Sequence, residues 1–163
     1  MITTANPPIN RAPTARSDAR ESNPLRAAYA KEELGRIEKL REIFLAYNRG
    51  QSQTSIALEA GISQAEVSRS VKRVKLVPSM IDRCPREVIL EFVAGEISAD
   101  QMLQELSQWN YSHAQDAEAN SPLSVRTSGS WEQISDAYSR GLIDYDHYEY
   151  LQQRSRGAGH LSQ

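Results

Sequence analysis

QTSIALEAGISQAEVSRSVKRV, residues 53–74, reads as two short helices joined by a tight turn. Ala57 is small enough to let two helix backbones approach, and Gly61 sits where the chain must leave the first helix with positive φ, a conformation that costs glycine nothing. Ile62 then drops into the core. Ser63, with Glu66 three residues on, is a capping box that opens the second helix by satisfying orphan backbone donors with side-chain oxygens. Helical spacing from there sets Val67, Val71 and Val74 on one face and Gln64, Ala65, Ser68, Arg69 and Lys72 on the other. The first face is apolar; the second is polar, basic and narrow enough for a groove.

With Ile56, Ala57, Ala60, Gly61, Ile62, Ser63, Val67, Ser68 and Arg69 at these spacings, the segment resembles the helix-turn-helix of bacterial repressors, most closely the lac-repressor type. In that motif the second helix lies in the major groove of double-stranded DNA and its N-terminal residues read base edges. The resemblance implies a DNA-binding transcriptional regulator in which Gln64, Ala65, Ser68 and Arg69 face base edges, and Gln53, Thr54, Lys72, Arg73 and Lys75 meet the phosphate backbone. The residue chemistry agrees, since Gln pairs bidentately with adenine and Arg with guanine, whereas Lys is a mobile point charge. It spans about 22 of the 163 residues. Ser70 departs from the pattern, being polar where many such motifs are apolar.

A chain of 163 residues allows one ordinary domain or two small ones, and its low apolar content favours a string of small helical units. No run approaches the length of a membrane span, and the N-terminus lacks an apolar signal core, so a cytoplasmic protein is expected. Cys84 is the single cysteine, which excludes an internal disulfide and a thiolate cluster for metal; it reads as a small, half-buried hydrophobe. The formal net charge of −2 hides a division along the chain. Residues 1–23 carry +1; residues 24–86 hold twelve Lys and Arg against seven Asp and Glu; residues 87–163 hold four Arg against twelve acids. The basic half suits phosphate contact, and the acidic half must face away from DNA.

Upstream, residues 1–22 are rich in Pro, Ala, Thr, Ser and Arg without apolar period and are expected to be a disordered tail, with Arg11, Arg16 and Arg20 available to track DNA. Asn23 and Pro24 are the cap and first position of a helix running to about Arg49. Its apolar stripe is Leu25, Tyr29, Leu34, Ile37, Leu40, Phe44 and Tyr47. The Leu40 to Tyr47 part is expected to cross the helix pair as the third helix of a trihelical module over 23–84. The N-terminal part overhangs that module and must bury its stripe against a second protomer or the C-terminal half. Residues 75–85 are too short and too proline-marked for a two-stranded wing.

Downstream, one pattern occurs twice: helix, glycine stop, buried Ile, cap, helix. Gly95, Ile97 and Ser98 carry the first copy, over 85–111, and Gly141, Ile143 and Asp144 the second, over 130–154. Ser98 with Gln101, and Ser130 with Gln133, are expected capping boxes. Trp131, Ile134 and Tyr138 should form a core stripe facing Tyr148 and Leu151. Residues 112–129 read as a linker pinned by Leu123 and Val125, and 155–163 as a frayed end. These helix-Gly-x-Ile units resemble the short helical hairpins at the ends of bacterial proteins that act as interaction pieces. The expected class is therefore all-α.

No catalytic set is legible. His113, His147 and His160 lack companions at metal-ligand spacing, and Asp144, Asp146 and Glu149 lack the glycine and spacing of a calcium loop. No phosphate-cradling glycine loop occurs, so neither enzyme activity nor a cofactor is expected. A repressor-like regulator, with a homodimer formed through its hairpins, is the leading function class. The alternative is an antitoxin-type protein whose basic module binds DNA and whose acidic half neutralises a basic protein partner.

Overall fold

The structure, a computed structural model, describes residues 23–111 and 130–158. The elements are α1 (Pro24–Asn48), α2 (Gln53–Ala60), α3 (Gln64–Leu76), a short 3-10 helix (Pro78–Ile81), α4 (Pro85–Ala94), α5 (Ala99–Ser107), α6 (Glu132–Ser139) and α7 (Tyr145–Ala158). The fold is all-α, with no strand among the described residues. The expected N-terminal tail with its three arginines, the linker with Leu123 and Val125, and His113 and His160 lie outside the described residues.

Helix starts follow the side-chain chemistry. Asn23 Oδ1 accepts from the backbone N–H groups of Leu25 and Arg26, at 3.0 and 3.4 Å, ahead of a proline that has no donor to lose. At α5 the full reciprocal box forms: Ser98 Oγ accepts from Gln101 N–H and Gln101 Oε1 accepts from Ser98 N–H. Asp144 caps α7 by accepting from His147 N–H at 2.9 Å. The expected box at Ser130 and Gln133 is not made. Helix α6 begins on Trp131 without a side-chain cap: the Gln133 N–H donates to the Ser130 carbonyl rather than to its hydroxyl, and Gln133 Oε1 accepts from the backbone N–H of Arg86 across the helix interface. Helix α7 also outruns the expected end at 154, continuing to Ala158.

Two cores result. In the first, Ile43 and Ala46 of α1, Ile56 and Ala57 of α2, and Val67 and Val71 of α3 pack together, with Phe44, Tyr47, Ala60 and Ile62 at the margin. The second is built by both hairpins jointly. Val88, Ile89, Met102, Leu103, Leu106, Ile134, Ala137, Ile143 and Leu151 form one cluster, and α4 meets α6 while α5 meets α7. Burying apolar surface from both hairpins in one cluster gives each the partner that a lone helical hairpin lacks. Rings line its edge: Tyr111 meets Trp131 edge-on, and Tyr138 stacks on Tyr148 at 4.8 Å between centroids.

Helix α1 belongs to both halves. It packs on α2 and α3 and, across the expected boundary at 84/85, on α4. The overhanging end is thus covered by the C-terminal half of the same chain. Arg26 donates to the Gly141 carbonyl in the α6–α7 turn, Arg140 reaches Tyr29 Oη, and Arg86 pairs with Glu33 at 2.6 Å. The expected stripe needs one correction: Leu25 is 79% exposed. The buried positions of α1 are Ala30, Ile43 and Ala46, small or slender side chains that allow close approach of the helices stacked against it. No helix among the described residues is long and apolar enough to cross a membrane.

Candidate nucleic-acid interface

The outer face of α3 is set by the turn that precedes it. Gly61 ends α2 at φ 65°, and Ile62 N–H reaches back to the Ala57 carbonyl at 3.0 Å, which closes the turn and points Ile62 into the first core. Ser63 Oγ accepts from Glu66 N–H at 3.2 Å, the forward arm of the expected capping box, whose return arm from the Glu66 side chain to Ser63 N–H is not made. Val67, Val71 and Val74 are buried, and so is Ser70, at 8% exposure, which places this polar residue on the inner face with the valines. The helix is therefore anchored along its whole length.

Glu66 and Leu76 are exposed on α3, and so are several of the residues expected at its outer face. Gln64, Ala65, Arg69, Lys72 and Arg73 are exposed on α3, with Ser68 half-buried beside them. Thr54 is exposed and Gln53 half-buried at the start of α2. The turn brings those two helix starts together: Gln64 Nε2 donates to Gln53 Oε1 at 2.9 Å. Lys75 stands apart from the other cations. Its Nζ donates to Tyr47 Oη at 3.0 Å and sits 4.5 Å from the centroid of that ring, so α1 already holds it.

Charge sharpens the picture. Elsewhere in the basic stretch the arginines are occupied internally. Arg36 pairs with Glu32 and Glu33, Arg41 with Glu87, Arg86 with Glu33, and Arg83 with both Glu91 and Glu105. The Arg83 bonds to Glu91 and Glu105 hold its guanidinium well above the ordinary range, and the same bond keeps the Glu105 carboxyl below its own. Among the described residues, Arg69, Lys72 and Arg73 have no such partner and lie together on α3; Lys31 and Lys39, exposed on α1, are likewise unpaired. Their counter-charge must come from solvent ions or from a ligand.

Of the other candidates, His147 falls into the core, Asp144 is half-buried, and Asp146 and Glu149 are exposed. His147 is 2% exposed, lies edge-on to Phe92, and has its Nδ1 2.9 Å from Asp144 Oδ1, though at an angle unsuited to a hydrogen bond. No group of three or more His, Cys, Asp and Glu gathers to hold a metal ion among the described residues. Cys84 is half-buried ahead of α4, and that burial pushes its thiol up, away from the thiolate a nucleophile needs.

Two features escaped sequence reasoning: the Gln53–Gln64 bond and the anchoring of Lys75 by Tyr47. The first had a visible signal, since a Ser-Gln pair opens both helices, at 52–53 and 63–64, with each serine capping its helix. The second had none, because it joins residues 28 positions apart. Comparison of the chain with models of protein families, with curated proteins and with solved structures gives no match.

Proposed function

We propose that this protein is a sequence-specific regulator that binds double-stranded DNA by laying α3 in the major groove. The observation that carries the reading is the contrast in charge pairing. Arg36, Arg41, Arg83 and Arg86 are spent on internal carboxylates, whereas Arg69, Lys72 and Arg73 stand unpaired on the outer face of a helix whose inner face is buried. A row of unpaired cations beside Gln64, Ala65 and Ser68 has the composition of a duplex-reading surface, in which cations meet phosphates and short polar or apolar groups meet base edges. Gln64, Ala65, Ser68 and Arg69 are assigned to bases, and Gln53, Thr54, Lys72 and Arg73 to the backbone. Lys75 joins the backbone set if DNA draws it from Tyr47.

A basic protein partner for the acidic half has less support. Glu87, Glu91 and Glu105 already answer Arg41 and Arg83, which reduces the free negative charge on that half. Selection of duplexes from a random pool by the full chain, followed by titration at several salt concentrations, tests the reading. It expects an enriched sequence and an affinity that falls steeply with salt through release of condensed counterions. Failure to enrich any duplex would remove it.

A further inference from the structure

A row of rings runs along the rim of the second core. Tyr145 and Tyr138 meet across the α6–α7 turn with centroids 6.5 Å apart, Tyr138 stacks on Tyr148 at 4.8 Å, and Tyr148 leans on Trp131 at 5.9 Å. Tyr145 is 57% and Tyr138 39% exposed, with Tyr148 and Trp131 half-buried beside them. A contiguous ring surface left open to water is a binding surface by its chemistry. Acids rim it: Glu132, Asp146 and Glu149 are exposed and form no ion pair among the described residues. The start of α1 stands next to this row. Arg26 donates to the Gly141 carbonyl at 2.5 Å and Arg140 to Tyr29 Oη at 3.4 Å, so the first turns of α1 meet the turn that joins Tyr138 to Tyr145. The chain enters α1 at Asn23, three residues before Arg26, and whatever precedes Asn23 begins beside the rings.

We propose that residues 7–16 of the same chain dock on this row, with prolines against the rings and arginines against the acids. Residues 1–22 lie outside the described residues, and their sequence fits the surface. The stretch 7–16 holds Pro7, Pro8 and Pro13 with Arg11 and Arg16, and no acid. Proline presets the extended conformation that aromatic grooves take up at small entropic cost, and a guanidinium is attracted to the face of a tyrosine ring. Reach is sufficient: residues 17–22 span up to roughly 20 Å when extended, enough to carry 7–16 from Asn23 onto the rings. Residues 112–129, which also lie outside the described residues, suit the surface less well, holding one proline and one arginine against two acids. Arg11 and Arg16 then neutralise the acidic half instead of standing ready for a duplex. The docking holds whether or not α3 meets DNA.

The test uses the full chain with Thr14→Cys and Cys84→Ser, a nitroxide on the new thiol, and paramagnetic broadening of ring signals as the readout. Tyr138, Tyr145 and Trp131 should broaden while Phe44 and Tyr47, at the margin of the first core, keep their line widths. The pattern should persist on dilution, as a contact within one chain requires. Arg11→Glu with Arg16→Glu reverses the charge of the stretch without touching either core, and it should abolish the selective broadening; added salt should weaken it. Tyr138→Ser with Tyr145→Ser, both exposed positions, should abolish the broadening that remains at Trp131. Equal broadening of all five rings, or none, would overturn the docking, as would a selective pattern that the arginine variant leaves intact. A pattern that fades on dilution would assign the row to the N-terminal stretch of a second copy and overturn the occupant proposed.

Discussion

Arg41 on α1 grips both carboxylate oxygens of Glu87 on α4, at 2.5 and 2.6 Å, while its Nε donates to the Ile81 carbonyl at 2.7 Å. Glu87 is only 5% exposed, and a charge taken that far from water depends on its partners, Arg41 first and Arg83 second, whose Nη1 lies 3.9 Å from the same carboxylate. Arg41→Ala should therefore cost up to about 3 kcal/mol in denaturant unfolding, the lower end of the range for breaking a buried pair, with Arg83 limiting the loss. The double variant Arg41→Met, Glu87→Leu should recover most of that loss. If the single variant unfolds like the parent, the pair is not a stabilising tie.

Gly61→Val tests the turn. A Cβ at Gly61 meets no atom within 4 Å, so the whole penalty comes from forcing a β-branched residue to φ 65°. The strain is about 1–3 kcal/mol, and Gly61→Asn, which tolerates the left-handed region better, should lose less. Thermal melting should rank the three proteins in the order Gly, Asn, Val. An equal melting temperature for all three would refute the left-handed assignment.

Base reading and backbone holding separate along α3. Arg69→Ala should cost about 1–3 kcal/mol on the selected duplex and relax preference at one base pair. Lys72→Ala should weaken all duplexes alike and flatten the slope of affinity against salt by about one. Matched selected and random duplexes at two salt concentrations decide it: an equal loss on both for Arg69→Ala would reassign that residue to phosphate.

Acid should loosen the C-terminal half through Glu105. Its bond to Arg83 holds the carboxyl below the ordinary value of 4.5, so the folded state binds this proton more weakly than the unfolded chain does. The stabilisation is then fully present above the unfolded value and is lost as pH falls through the folded one. Unfolding curves collected from about pH 6 down to about pH 3 should show the parent losing more stability than Glu105→Gln. Parallel curves would mean that solvent screens the pair, which is partly exposed.

Local signals were legible where one residue answers its near neighbours. Asn23, Gly61 and Ser98 do in the fold what their spacing implied, and Ser63 makes half of its box, because a cap or a left-handed glycine involves only three or four residues of chain. The outer face of α3 was legible for the same reason. At Ser130 the box is absent because the helix starts one residue later, with Trp131 as its cap, and Gln133 Oε1 has a long-range partner in the Arg86 N–H, 47 positions away, which no local rule sees. The charge division along the chain was correct as arithmetic, yet it concealed that Arg41, Arg83 and Arg86 neutralise acids brought to them by folding. In α1, large apolar residues drew the eye to Leu25, whereas the tightest packing selected Ala30, whose lack of a long side chain is what fits it there.

Because α1 is one unbroken helix of 25 residues that packs on α4 as well as on α2 and α3, the stability of each half should depend on the other. Loss of the α4 to α7 cluster would strip the backing from the first half of α1, and a helix left half-supported frays toward Ile43 and Ala46, where α2 and α3 rest. Unfolding should then be a single cooperative event, and hydrogen exchange should find the amide protons in the middle of α1 among the last to exchange with solvent. A substitution in the second core, far from α3, therefore lowers the fraction of molecules in which α3 is presented at all.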